Sequence, residues 1–288
     1  MPYRILVALD GSGAAEAALG EVERIAGSGA GVHFLSVVPT LPVSVGVTSA
    51  QVLAGHDRAL SYLRILRERV PDVRGLDHIR TGRPADAILQ AALEFDIHLI
   101  AIGTSNRSGA AIGTPGSVAE EVLQKARIPV LLKRPGGVPT HPTLRRILVP
   151  LDGSVESLSI LPTVKTLAVR LGAELVFLHV PERTLAPFSA SAVSGGPEQK
   201  FLALADRLGK TDVAYWQTVA HGDAAEEILE HAKTLDVDLI AMSTQAVADA
   251  EASVVGNVAL AIVDRTERAV LLQRPMLRPV VSQAWKYQ

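Results

Sequence analysis

Short apolar runs alternate along the chain with longer segments in which apolar residues recur at helical spacing. An unbroken apolar run of about four to eight residues is typical of a strand that is buried on both faces, as in a parallel sheet. In the first half of the chain, the pattern predicts strands at residues 5–9, 32–38, 73–80, 97–102 and 129–133 and helices at 14–26, 51–69, 84–94 and 117–126. Strands that alternate with helices indicate right-handed βαβ units.

The second half of the chain repeats the first. RILVALDGS at residues 4–12 returns as RILVPLDGS at 146–154, GRPADAILQAALEFDIHLIAI at 82–102 returns as GDAAEEILEHAKTLDVDLIAM at 222–242, and IPVLLKRP at 128–135 returns as RAVLLQRP at 268–275. The order is the same and the offset is nearly constant, which indicates two copies of one domain. The second copy therefore predicts strands near residues 147–151, 174–180, 212–219, 237–242 and 269–273.

These observations predict the domain organisation and the fold class. We expect domains at residues 1–135 and 144–276, a linker at 136–143 whose Pro and Gly content is typical of a connection, and a C-terminal tail at 277–288. The predicted fold class is α/β, with two tandem doubly wound domains. Each domain is expected to be a five-stranded parallel sheet flanked by helices.

Composition and charge argue against several classes of function. The formal net charge of −2 gives no basic footprint for nucleic acid, and the absence of cysteine rules out disulfides and thiolate metal sites. The eight histidines lack the H-x3-H spacing of a metal site. No apolar run approaches the ~18 residues of a membrane helix, and the run before Asp10 is shorter than a signal-peptide core. We therefore expect a cytoplasmic protein with no membrane or nucleic-acid partner.

Two predicted strands end in residues that suit ligand binding. In doubly wound sheets, ligands bind beyond the carboxyl ends of the strands, where the strand order reverses. The first strand ends in Asp10-Gly11-Ser12. An aspartate at this place can accept hydrogen bonds from a ligand, but an Asx turn or a helix cap explains the same residue type.

The fourth strand is followed by the segment GTSNRSGAAIGTPGS at residues 103–117. Glycines let the backbone approach a ligand, and Ser117 followed by Glu120 is a capping box that predicts a helix start. The free N–H groups and the dipole of a helix start are suited to phosphate. A mobile loop before an ordinary capped helix is the alternative, and these residues by themselves leave both interpretations open.

The complete pattern resembles the universal stress protein family, whose nucleotide-binding members carry G-x2-G-x9-G-[S/T] after the fourth strand. Gly103, Asn106, Gly116 and Ser117 keep these intervals, with Asn106 at the second glycine position. The resemblance extends over both halves and implies an adenine nucleotide alpha-hydrolase-like fold that binds ATP, with any need for Mg²⁺ left open. It implies that Asp10 and the backbone of Val37 contact the adenine–ribose end. The residues implied around the ribose and the phosphates are Gly103, Asn106, Arg107, Gly116, Ser117 and Val118.

The second copy departs from the glycine pattern. Ser243 and Ala246 stand at the first two glycine positions, and Gly256 is followed by Asn257. Asp249 and Glu251 add negative charge where phosphate would lie. We therefore predict that the second site binds nucleotide weakly or not at all, although Asp152 and Val180 repeat Asp10 and Val37.

The function expected from the resemblance is that of a nucleotide-binding regulatory protein of the stress response. The loop supplies no obvious general base, so we expect at most a slow ATPase. The resemblance also implies that the last strands of the two domains pair within the chain, and a homodimer of the tandem chain is a further expectation. The alternative is a scaffold of the same fold that has lost its ligand.

Overall fold

The computed structural model describes residues 3–27, 29–39, 49–104, 118–137, 139, 141–152, 154–180, 213–244 and 256–275. The predicted tail at 277–288 lies outside these residues. The strands of the first half are β1 (Arg4–Leu9), β2 (Gly31–Pro39), β3 (Gly75–Gly82), β4 (Leu99–Gly103) and β5 (Val130–Lys133). Its helices are α1 (Leu19–Ala26), α2 (Ser49–Arg69), α3 (Pro84–Glu94) and α4 (Val118–Lys125).

The second half follows the same plan. Its strands are β6 (Arg146–Leu151), β7 (Glu174–His179), β8 (Tyr215–Val219), β9 (Leu239–Ser243) and β10 (Ala269–Gln273). Its helices within the described residues are α5 (Val155–Leu158), α6 (Leu161–Leu171), α7 (Ala224–Thr234) and α8 (Asn257–Arg265). All ten predicted strands are therefore present.

One predicted helix is wrong in detail. The segment 14–26 is divided into a 3₁₀ turn at Ala15–Ala18 and the helix α1. The turn begins where the Ser12 hydroxyl accepts the N–H of Ala15 at 3.1 Å, and it lies on the end of β4. The lack of a Cβ atom at Gly103, in β4, permits this close approach.

The strands of both halves form one sheet, in the order β3-β2-β1-β4-β5-β10-β9-β6-β7-β8. The strands within each half are parallel, and β5 pairs with β10 in antiparallel fashion, with Leu131 opposite Leu271. The expected pairing of the two last strands within the chain is confirmed. Each half supplies a five-stranded doubly wound sheet, and the junction of β5 with β10 makes them one.

Hydrophobic clusters cover the two faces of this sheet, because successive strand residues point to opposite faces. Ile5 and Val7 belong to the cluster that packs against the 3₁₀ turn, α1 and α6. Leu6 and Ala8 belong to the cluster under α3, α4, α7 and α8. None of the described helices combines the length and the apolar content that a bilayer crossing requires.

Candidate functional site

The strand order of the first half reverses at β1. Strand β1 lies between β2 and β4, with Leu9 opposite Ser36 and Ala8 opposite Ile102. The chain leaves β1 toward β2 and β3 on one side, and it later places β4 and β5 on the other. A crevice at the carboxyl ends of β1 and β4 is therefore the expected ligand position, and Asp10 and Gly103 lie at these ends.

Asp10 forms the Asx turn that its sequence context allowed. The Ser12 N–H donates to Asp10 Oδ1 at 2.9 Å, and Gly11 takes a φ of 85°, which favours glycine. The Asp10 side chain is exposed beyond the carboxyl end of β1. Because an ionised carboxylate has about four lone-pair sites, the turn leaves acceptor capacity for a ligand.

Gly103 has a packing role that the sequence did not reveal. A Cβ atom at this position would lie 1.9 Å from the carbonyl oxygen of Ala14 and 2.6 Å from that of Ala15. The backbone of the 3₁₀ turn therefore rests directly on Gly103. This contact holds the Asp10 turn against the point where the glycine-rich loop leaves β4.

The other predicted site residues are only partly within the described residues. Val37 is half-buried in β2, and Val118 is the first residue of α4; both pack against the hydrophobic cluster under α3 and α4. The predicted site residues that lie outside the described part of the chain are Asn106, Arg107, Gly116 and Ser117. The part that is described thus contains Asp10, Val37, Gly103 and Val118, at the ends of β1, β2 and β4 and at the start of α4.

The corresponding turn of the second half has the same hydrogen bonds. The Ser154 N–H donates to Asp152 Oδ1 at 2.8 Å, and the Ser157 N–H donates to Ser154 Oγ at 3.0 Å. Burial acts to raise the pKa of Asp152, but hydrogen bonds from Ser154 and Ser157 outweigh it and lower the pKa below its usual value. The turn is therefore kept in both halves.

The strand end next to this turn is different in the second half. Ser243 occupies the position that repeats Gly103, and its hydroxyl lies 2.7 Å from the hydroxyl of Ser159. Ser159 follows α5 directly. Two hydrogen-bonded side chains therefore join the end of β9 to the residue after α5, where the first half has a direct backbone contact between Gly103 and the 3₁₀ turn.

Lys133 is a buried charged residue that sequence reasoning missed. It ends β5 opposite Gly103, is 5% exposed, and donates through Nζ to the carbonyls of Arg134 (2.8 Å) and Gly136 (2.6 Å). Burial lowers its pKa, and the nearby Glu21 carboxylate acts in the opposite direction. The signal in the sequence was a lysine that ends an apolar strand, where the second copy has glutamine.

Two cavities adjoin Lys133. One, of about 280 Å³, extends from Gly13 beside the Asp10 turn to Lys133. The other, of about 740 Å³, lies between the halves and is bordered by Arg24 of the first and by Asp238 and Glu267 of the second. Within the described residues, no group of three His, Asp or Glu side chains is placed to hold a metal ion.

Known proteins share both the sequence pattern and the fold. The family model described as the universal stress protein family matches residues 1–134 and 143–274. A universal stress protein E homolog from Haemophilus influenzae is 26% identical over 100 residues. This match covers 33% of the present chain and 32% of the relative, so it spans about a third of that protein.

Solved structures extend the likeness to nearly the whole fold. A universal stress protein from Archaeoglobus fulgidus superimposes with a TM-score of 0.74 and 17% identity over 94% of this chain and 96% of the other. A putative universal stress protein from Pseudomonas aeruginosa has a TM-score of 0.64 and 18% identity over 95% and 94% of the two chains. These identities support the fold alone, whereas the family model covers both halves of the sequence. The chain belongs to the universal stress protein family, as a tandem member with two domains.

Proposed function

We propose that the first domain binds an adenine nucleotide, with ATP as the first candidate, and that the second domain has lost this capacity. The protein would then act as a nucleotide-responsive regulatory module of the stress response. The observation that carries the proposal is the difference between the two strand ends. Gly103 lets the backbone of the 3₁₀ turn rest directly on β4 and so fixes the Asp10 turn there, whereas the repeated position carries Ser243, whose hydroxyl contacts that of Ser159.

In the first domain, the chemistry of the crevice suits the two ends of a nucleotide. The exposed carboxylate of Asp10 can accept hydrogen bonds from ribose hydroxyls. Strand β2 brings the backbone of Val37 to the same carboxyl end of the sheet. On the other side of β1, the N–H groups at the start of α4 and the positive end of its dipole favour phosphate. Gly116 and Ser117, which precede Val118, would extend this cradle.

In the second domain, the Ser243–Ser159 contact argues against the same binding mode. A serine at the position of Gly103 excludes the backbone contact that fixes the Asp10 turn against β4, so the second domain joins these segments through a 2.7 Å contact between two hydroxyls instead. Asp249 and Glu251 would add repulsion toward phosphate. We therefore expect one nucleotide per chain, and at most slow hydrolysis, because the sequence of the loop at residues 103–117 supplies no obvious general base.

The test is a binding stoichiometry on the full chain. Calorimetric titrations with ATP, ADP and AMP, with and without Mg²⁺, should give about one site per chain for at least one nucleotide. Release of nucleotide from denatured, freshly purified protein would detect ligand that is retained during purification. Absence of binding at millimolar nucleotide, with no retained ligand, would favour the scaffold alternative. Two equivalent sites would contradict the proposed loss in the second domain.

A matched pair of variants tests the role of Asp10. Asp10→Asn keeps an oxygen that can accept the Ser12 N–H, but it removes the charge. We expect it to weaken nucleotide binding about 10-fold, because a hydrogen bond to a charged group contributes about 1.5 kcal/mol. Asp152→Asn makes the same change in the second domain and should leave the affinity unchanged. Equal effects of the two variants would contradict the assignment of the site to the first domain.

A further inference from the structure

A buried ion triad joins the two domains beside the larger cavity. Arg24 of α1 donates through Nη1 to Glu21 at 2.7 Å and through Nη2 to Asp238 of the other domain. The three side chains are at most 6% exposed. Asp238 also accepts the backbone N–H groups of Arg145 and Arg146 at 2.8 and 3.0 Å. Arg24 is thus held between one carboxylate of each domain.

The triad is present on one side of the pseudo-twofold axis only. The positions that repeat it in the other copy carry no carboxylate and no guanidinium: Thr163 for Glu21, Thr166 for Arg24 and His98 for Asp238. Thr166 is exposed, and its hydroxyl donates to the carbonyl of Pro162 at 2.8 Å. On this side of the interface, Arg170 lies over the ring of Tyr3 at 5.1 Å.

The apolar residues that pair at the junction do not distinguish like from unlike domains. β5 reads Val-Leu-Leu-Lys and β10 ends Val-Leu-Leu-Gln, and Leu131 lies opposite Leu271 with the same register on either side. Two copies of β5 from neighbouring chains would offer the same backbone groups and nearly the same apolar side chains. The choice of partner must therefore come from the charged and polar residues around these apolar pairs.

We propose that the Arg24–Asp238 ion pair specifies that a first domain pairs with a second domain, and not with the first domain of another chain. A pair of first domains would place Arg24 opposite His98, with only Glu21 left as its counter-charge. A pair of second domains would place Asp238 opposite Thr166. Removal of one partner from a buried ion pair is strongly destabilising, and buried polar groups are known to fix pairing specificity.

A single cysteine can report the unwanted pairing, because the chain has none of its own. In a pair of first domains, two copies of the Leu131→Cys variant would bring their thiols opposite each other at the axis. In the native pairing, that thiol faces Leu271 and cannot form a disulfide. Under mild oxidation of the full chain, a disulfide-linked dimer therefore measures first-to-first pairing. In the Leu131→Cys/Leu271→Cys variant, the two thiols face each other within one chain. The rate of this intramolecular disulfide is the reference for the rate of disulfide trapping between chains.

The triad is then removed and transplanted in the Leu131→Cys background. Glu21→Thr and Arg24→Thr with Asp238→His give each of the three positions the residue of its repeat, and we expect disulfide dimers to form about 100-fold faster, the ratio that ~3 kcal/mol gives. Adding the inverse changes Thr163→Glu, Thr166→Arg and His98→Asp rebuilds the triad on the other side of the axis. This variant should return trapping to the level of the starting background.

Two results would overturn the proposal. If removal of the triad leaves the rate of disulfide trapping unchanged, other contacts or the linker determine the pairing. If trapping rises but the transplanted triad does not reverse it, the ion pair only stabilises the interface and specifies no partner. Nucleotide binding enters none of these measurements, so the outcome is independent of the function proposed above.

Discussion

Gly103 shows how much a single missing methyl group contributes to this site. With the Cβ position 1.9 Å from the Ala14 carbonyl oxygen, Gly103→Ala must push the 3₁₀ turn away from β4. We expect the free energy of unfolding to fall by about 1–3 kcal/mol, as for other overpacked sites. Urea denaturation followed by circular dichroism measures this change.

Gly20 provides the matched control for Gly103→Ala. It lies in α1, and a Cβ added there would meet no atom within 4 Å. Gly20→Ala should raise the free energy of unfolding by about 0.5–1 kcal/mol, because alanine restricts the unfolded chain and favours the helix. Effects of the same sign at both glycines would contradict the packing role of Gly103.

Contacts of individual residues with distant segments were the features that the sequence predicted least well. The Asx turn of Asp10 was among the alternatives that the sequence offered, because it depends on residues two positions apart. The contact of Gly103 with Ala14 joins segments about 90 residues apart, and no local pattern encodes it. The same holds for Lys133 and the Arg24–Asp238 pair. The sequence does not reveal that these charges are buried, because their burial depends on contacts between segments that are distant in the chain.

At the scale of the element, the edge of the sheet carries a stack of rings. His33 of β2 and His78 of β3 have parallel rings, and their nitrogens Nδ1 and Nε2 are 3.0 Å apart. Phe95, after α3, stacks on His78 with ring centroids 4.2 Å apart. One nitrogen of the close pair must accept a proton from the other, so the contact requires that at least one ring is neutral.

The surroundings of the two histidines favour their neutral forms. Burial lowers the pKa of both, and the pair is mutually repulsive when charged. Arg4 also lowers the pKa of His33, and Arg80 lowers that of His78. Asp77 and Glu94 act in the opposite direction on His78 but do not cancel the shift.

We predict that this stack makes the protein less stable in mild acid. Between the unfolded pKa of 6.5 and the lower folded values, the unfolded chain binds more protons than the folded one. Stability therefore falls as the pH drops through about 6.5. The double variant His33→Val/His78→Thr introduces the residues that the second half has at these positions, Val176 and Thr218.

The measurement compares the free energy of unfolding at pH near 7.5 and near 5.5. The double variant should lose less stability over this interval than the wild type. Some loss should remain, because burial also lowers the pKa of His98. An undiminished loss in the double variant would show that the histidine stack does not cause the acid sensitivity.

The elements themselves were largely predictable, and for a physical reason. Parallel strands are buried on both faces, so their apolar runs stand out without any tertiary information. Among the residues that the structure describes, the element that was wrong is the helix expected at 14–26, where tertiary packing on Gly103 replaces local preference. The internal repeat supported the assignment of the less regular elements, because each element of the first copy could be compared with its counterpart in the second.

At the scale of the molecule, the junction of β5 with β10 converts two domains into one sheet. Both hydrophobic clusters contain residues of both halves, among them Leu131 and Leu271 in one and Leu132 and Leu272 in the other. Apolar surface that each domain would expose alone is buried between them. We therefore expect the halves to unfold as a single cooperative unit.

Trp216 makes this cooperativity measurable, because it lies in β8 at the far edge of the second half. With Trp285→Phe in the background, its fluorescence reports the second half alone. If the halves unfold together, Gly103→Ala in the first half should lower the thermal midpoint seen by Trp216, by about 2–4 °C for each kcal/mol lost. Gly20→Ala should raise it. If both variants shift the midpoint measured by circular dichroism but leave the midpoint measured by Trp216 fluorescence unchanged, the common sheet does not couple the unfolding of the two domains.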